Sequence, residues 1–171
     1  MGFFIIAKYY IAKKNYLECR QGKFVLTSVS VDLKLKLIIM RLNIENQTKI
    51  DLDLSLLEGI RIRSEQIKLL PEDYTLDLSF CDGTFIRQHN KMFRGLDQKT
   101  DVLSFELTST YGSMLICLEY LRHRSGNKAL AQDLQSVFAH GLCHLAGYDH
   151  FTDEQKRAMQ TKEKALLQVA K

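Results

Sequence analysis

No apolar run in this chain approaches the roughly 20 residues that a membrane-spanning helix needs. The four cysteines, Cys19, Cys81, Cys117 and Cys143, are scattered and form no C-x-x-C pair. That argues against a disulfide framework and for reduced thiols in a cytoplasmic protein. There is no internal repeat and no low-complexity stretch, and the single proline, Pro71, offers only one proline stop for a helix. A general excess of basic charge is also missing from most of the chain. Residues 1–39 carry seven Lys/Arg against Glu18 and Asp32, a net +5, whereas residues 40–171 carry 17 basic and 18 acidic residues, a net −1. The body therefore lacks the electrostatic footprint of a strong nucleic-acid binder, and any RNA must be met by a local patch or with a partner.

What is present is enough to fold. Of 171 residues, 46% are hydrophobic and 26% charged, which suits one packed domain, or one domain plus an arm. Residues 1–39 mix apolar and basic residues and read as an N-terminal extension outside the fold, the alternative being an extra hairpin packed on the domain. Met40 opens the domain, 40–171. "RLNIEN" alternates as a short strand, and "DLSLLEGIRIRSEQIKLL" has helical periodicity up to Pro71. "YTLDLSFCD" alternates as a half-buried strand. "DGTFIRQHNKMFRG" is a helix with Asp82 near its N-cap and Gly95 after its end. "DVLSFEL" and "SMLICLE" are two further strands. "KALAQDLQSVFAHGLCHLAG" is a long helix closed by Gly147, and "TDEQKRAMQTKEKALLQVA" a final helix capped by Thr152. The class is α+β.

Three of the five histidines fall within "HGLCHLAGYDH", residues 140–150. His140 and His144 are four apart on the predicted helix and share a face, offset by about 40°. Gly147 allows a left-handed turn that brings His150 back toward them. Three neutral imidazoles at roughly 2.0–2.1 Å would hold one Zn²⁺ and leave a fourth position open, the habit of a catalytic site. Zinc there would lower the pKa of its water to about 7. Cys143 lies about 100° around the helix from His144 and reads as a small packed residue instead of a fourth ligand. The spacing is that of the metzincin peptidases, but their motif has glutamate after the first histidine. Here that place holds Gly141, which cannot take a proton from water. The motif keeps the metal and loses the peptidase base. A phosphodiester makes a different demand, which a metal and a guanidinium can meet.

A second motif, "NKMFRGLDQKTDVLSF", residues 90–105, supplies the guanidinium. Arg87, Lys91 and Arg94 share one face of the predicted helix; Arg87 and Lys91 read chiefly as a solvated charged face. Taken together, His140, Gly141, His144, Leu145, Gly147, Tyr148, Asp149 and His150, with Asn90, Phe93, Arg94, Thr100, Asp101, Val102, Leu103, Ser104 and Phe105 upstream, resemble the signature of the YbeY family. These are single-domain bacterial metal-dependent endoribonucleases. The resemblance covers about 40–171. It implies a mixed four-stranded sheet flanked by helices, a zincin-like site with zinc on His140, His144 and His150, and Arg94 lining the groove as the residue needed for RNA cleavage. It further implies cleavage of single-stranded RNA, a role in rRNA processing at the 16S 3′ end and in ribosome quality control, and, as partners, the ribosomal small subunit through one of its proteins and the GTPase Era. The chain departs from the family pattern at Lys99 and Glu106, where proline is usual, and at Gly112-Ser113, where Gly-Asp is usual.

Several roles stay open at the level of sequence. Asp149 and Asp101 could each orient an imidazole, and Asp149 could instead cap the turn. Tyr148 reads as a packed ring more than as an acid. Thr100 and Ser104 could meet phosphate or simply pack. The attacking oxygen could come from water or from the RNA 2′-OH. Two other functions compete with the nuclease: a ribosome-assembly binding factor with a mainly structural zinc, favoured mildly by the −1 body charge, and a zinc metallopeptidase using another base such as Asp149.

Overall fold

A computed structural model describes the strand backbones at residues 17–20 and 23–26, together with residues 40–168. Ten elements follow in order: β1 (Leu17–Arg20), β2 (Lys23–Leu26), β3 (Arg41–Asn46), α1 (Ser55–Gln66), β4 (Thr75–Cys81), α2 (Gly83–Arg94), β5 (Val102–Thr108), β6 (Tyr111–Cys117), α3 (Leu118–Leu145) and α4 (Asp153–Leu167). The sheet order is β1-β2-β3-β4-β6-β5. β3, β4 and β6 run parallel, and β5 is antiparallel to β6. These four strands form the mixed sheet implied by the resemblance. The backbones of β1 and β2 add an antiparallel pair beside β3. The rest of residues 1–39, expected as an extension, lies outside the described residues.

Alternation along the strands decides which helix each face receives. In β4, Leu76, Leu78 and Phe80 are fully buried, and with Met114 and Ile116 of β6 they join one large core against α1, α3 and α4. The opposite face carries Cys81, Leu103, Leu115 and Cys117, covered by Ile86 and Phe85 of α2. Each large side chain buried this way contributes about 1.5–3 kcal/mol. The sheet thus separates α2 from α3, and β5 is its edge strand on the far side from β1.

The helix ends show what the sequence signals and what it hides. At α2, Asp82 accepts hydrogen bonds from the backbone N–H of Thr84 and Phe85, both at 2.8 Å, and Gly95 closes the helix. At α4, Thr152 and Gln155 form a reciprocal capping box. α1 differs from expectation: it ends at Gln66, ahead of Pro71. Lys68 takes a left-handed backbone with φ 49°, and the Leu69 N–H reaches back to the Ser64 carbonyl. Lysine, not glycine, makes that turn, so no residue type announced it. α3 also starts earlier than its sequence suggests. It begins at Leu118, directly after β6, and bends at Gly126, whose φ of 73° and ψ of 170° are not helical.

The start of the domain is held by charge. Arg61 of α1 is 7% exposed and pairs with Glu58 at 2.6 Å and Glu65 at 2.5 Å. It also donates to the Met40 carbonyl at 3.3 Å, while the Met40 N–H donates to Glu65 at 2.7 Å. A buried guanidinium tolerates desolvation only with such partners.

Candidate metal centre

α3 presents its histidines where its buried face gives way to the surface. Phe138, Ala139, Leu142 and Cys143 are fully buried against the sheet, whereas His140 and His144 are half-buried. The helix then stops in a Schellman turn: Tyr148 N–H donates to the Cys143 carbonyl and Gly147 N–H to that of His144, with Gly147 at φ 80°. A Cβ at that φ would be strained, which is why glycine stands there. The reversal returns His150. Ring centroids lie 4.6 Å apart for His140–His144, 5.3 Å for His144–His150 and 5.6 Å for His140–His150. Nitrogens of the three rings fall within 4.8 Å of one another.

The protons in this cluster identify what it is built to hold. His140 Nδ1 lies 2.7 Å from Glu163 Oε1, so the carboxylate accepts the ring N–H. Burial, and after it the neighbouring His140, lower the pKa of His144 and favour its neutral form. Nε2 of His140 and Nε2 of His144 face each other at 3.0 Å, close enough for both to bind one cation. Tetrahedral zinc bonds of about 2.0–2.1 Å put neighbouring nitrogens about 3.3 Å apart, close to that separation. The donor set suits a divalent metal ion such as Zn²⁺, and His150 offers a third nitrogen to it.

Glu163 was not singled out in the sequence. No spacing rule links residue 163 to residue 140; only the packing of α4 on α3 brings them together. The carboxylates that were singled out do other things. Asp149 accepts from the His150 backbone N–H at 2.8 Å and so caps the turn. Asp101 accepts from Val102 N–H at 2.9 Å and pairs with Arg124 at 2.8 Å. Cys143 is wholly buried, and burial pushes its thiol up to about 12, consistent with a packed residue. Tyr148 packs on the main core.

Gly141 has a steric explanation. A Cβ there would lie 2.5 Å from Met114 Cε and 3.0 Å from Ser104 Oγ. This part of α3 rests directly on β5 and β6, so the position of the peptidase glutamate is filled by the sheet. Ser104 Oγ is buried and has no hydrogen-bond partner among the described residues, so it is enclosed against α3.

The family model for Endoribonuclease YbeY matches residues 41–171. The chain belongs to the YbeY endoribonuclease family. Endoribonuclease YbeY of Clostridioides difficile (strain 630) is 31% identical over 139 residues, covering 72% of this chain and 91% of that one. The Thermotoga maritima Endoribonuclease YbeY is 34% identical over 119 residues, 66% of this chain and 79% of that one. A Thermotoga maritima protein solved in solution superposes with a TM-score of 0.48 at 26% identity, over 75% of this chain and 89% of that one. The family read from the two sequence motifs is thus the family found by comparison.

The second motif lies across the sheet. Arg87 and Lys91 both pair with Asp97, at 2.7 and 3.0 Å, as exposed ion pairs. Arg94, in the last turn of α2, is exposed and has no ion pair among the described residues. Its neighbour Phe93 packs on Phe105 of β5, with ring centroids 4.9 Å apart. Phe105 adjoins Ser104, the residue against Gly141. β5 thus touches both motifs, through Phe105 on the side of α2 and through Ser104 on the side of α3. The departure at Lys99 has a structural counterpart: Lys99 lies over Gly83 and sits 3.8 Å from Glu119, which also accepts the Gly83 N–H at 3.1 Å. At Glu106 the β5–β6 register shifts.

Proposed function

We propose that this protein is a zinc-dependent endoribonuclease that cuts single-stranded RNA in the cytoplasm. Its substrates are rRNA precursors, including the 16S 3′ end, and its cleavage serves ribosome quality control. By family resemblance its partners are the small ribosomal subunit, through one of its proteins, and the GTPase Era. The family-matched domain is residues 41–171, and residues 1–39 are an extension whose β1 and β2 backbones add to the domain's sheet beside β3. The observation that carries the nuclease reading is the group of three histidines whose ring nitrogens lie within 4.8 Å of one another.

In this reading His140, His144 and His150 would hold one Zn²⁺, which when bound would supply Lewis-acid charge. Glu163 fixes the His140 tautomer and ring orientation. Arg94 is the catalytic residue and offers its fork of donors to phosphoryl oxygens as charge builds. Gly141 contributes no base, so peptide hydrolysis gains nothing at this position. The test is cleavage of a single-stranded rRNA 3′-precursor by zinc-loaded wild type, Arg94→Ala and His144→Ala, purified identically. Wild type cuts, and both variants are folded and at least about 100-fold slower, the loss expected when a transition-state donor is removed. Equal cutting by all three overturns the reading. A 2′,3′-cyclic phosphate product identifies the RNA 2′-OH as nucleophile and sinks direct hydrolysis by water.

The modest body charge of −1 favours a second reading, an assembly factor with a structural zinc. A structural site loses its fold with its metal, whereas a catalytic site loses activity first.

A further inference from the structure

Phe151 follows the last histidine and is 84% exposed, the most exposed of the large hydrophobic residues described. A phenyl ring in water is unfavourable, and a structural reason for it is missing. Phe151 occupies the N′ position of α4, one residue before the Thr152 cap. An apolar residue there commonly packs on the fourth residue of the helix as a hydrophobic staple. In α4 that residue is Lys156, itself exposed, so no apolar partner is offered. Among the described residues the recorded ring partner of Phe151 is His150, at 6.2 Å between centroids and tilted by 54°. The tilt leaves the phenyl face uncovered. The contrast with Phe93 is informative: it too is exposed, at 58%, but it is braced by Phe105 and so has a packing role.

We propose that Phe151 is a base-stacking platform, on which the nucleobase next to the phosphate at the three-histidine group lies. This inference rests on the nuclease reading above and names the part of the substrate that the reading leaves unassigned. A centroid separation of 6.2 Å from His150 puts the phenyl one nucleotide's reach from a phosphate at the histidines. Stacking also resolves the charge problem. A body with net charge −1 gives RNA little long-range attraction, and a π-face binds any base without charge. It gives a physical basis for single-strand selectivity, because a base inside a duplex has no free face to offer.

The chain contains no tryptophan, so Phe151→Trp introduces one whose emission reports this position alone. The probe is a short single-stranded oligonucleotide of 2′-O-methyl RNA, which is not cut through the 2′-OH, and the same sequence annealed to its complement. Binding is followed by anisotropy for wild type, Phe151→Trp, Phe151→Leu and Phe151→Ala. RNA cleavage by wild type is measured in parallel. The expected result is that Phe151→Ala binds the single strand about 5- to 150-fold more weakly, the range that stacking of one base represents. Phe151→Trp binds as well as wild type, and its emission is quenched by the single strand but not by the duplex. Phe151→Leu falls near Phe151→Ala, and thermal unfolding is unchanged in all variants because the side chain is exposed. An oligonucleotide abasic at one position binds wild type and Phe151→Ala alike. If wild type cuts RNA while Phe151→Ala binds as tightly, or the tryptophan is not quenched on saturation, stacking is overturned and the nuclease reading stands. If wild type neither binds nor cuts, both fall.

Discussion

At the scale of single residues, the site turns on protons and contact distances. Glu163 holds the Nδ1 proton of His140 at 2.7 Å and frees Nε2 for a cation. Glu163→Gln keeps the shape but loses the charge, and a competing chelator should report zinc affinity about 10- to 100-fold weaker. Unchanged affinity would show that the carboxylate is incidental. Gly141 is set by contact, not by chemistry, because Met114 and Ser104 occupy the space a side chain would need. Gly141→Glu, which restores the metzincin motif on paper, should create no peptidase. Instead it should lower stability by at least about 2 kcal/mol, since a charged side chain is forced against a filled interior. Urea unfolding measures this, and a stable variant that digests casein would sink the steric account. The sequence made His140, His144 and His150 legible because helical period and a glycine turn are local rules. Glu163 was illegible because its role depends on how one helix lies on another.

At the scale of elements, caps and bends place the side chains. Asp82 satisfies two N–H groups at the start of α2, the helix that carries Arg94 at its other end. Asp82→Ala should cost about 0.5–2 kcal/mol, read as a lowered denaturation midpoint with unchanged slope. The bend in α3 depends on Gly126, whose φ of 73° and ψ of 170° suit essentially glycine alone. Gly126→Ala should destabilise by about 1–3 kcal/mol, and a neutral result would mean that the helix straightens freely. The segment from Leu118 to the bend was missed in the sequence because β6 passes directly into helix without a polar cap: Cys117 makes no side-chain capping bond. The ends of α2 and α4 were legible because Asp82, Gly95 and Thr152 are residues with strong local preferences.

At the scale of the whole molecule, the core and the metal centre are separable. The main core spans both sides of the chain, from Leu42 of β3 to Leu166 of α4, and does not need the histidines to close. Chelation of zinc should therefore abolish RNA cleavage while circular dichroism keeps its native shape. The melting temperature should fall only by the contribution of the bound ligand. Collapse of the fold on chelation would favour the structural-zinc reading instead. The sequence by itself determined the family, the three candidate ligands, the α+β class and the loss of the peptidase glutamate, because each is written in residues close together in the chain. Only the tertiary structure decided that Glu163 backs His140, that Asp149 and Asp101 do not, and that the sheet itself fills the space beside Gly141. Those relations join residues far apart in sequence, and burial and packing, not periodicity, set which of them touch.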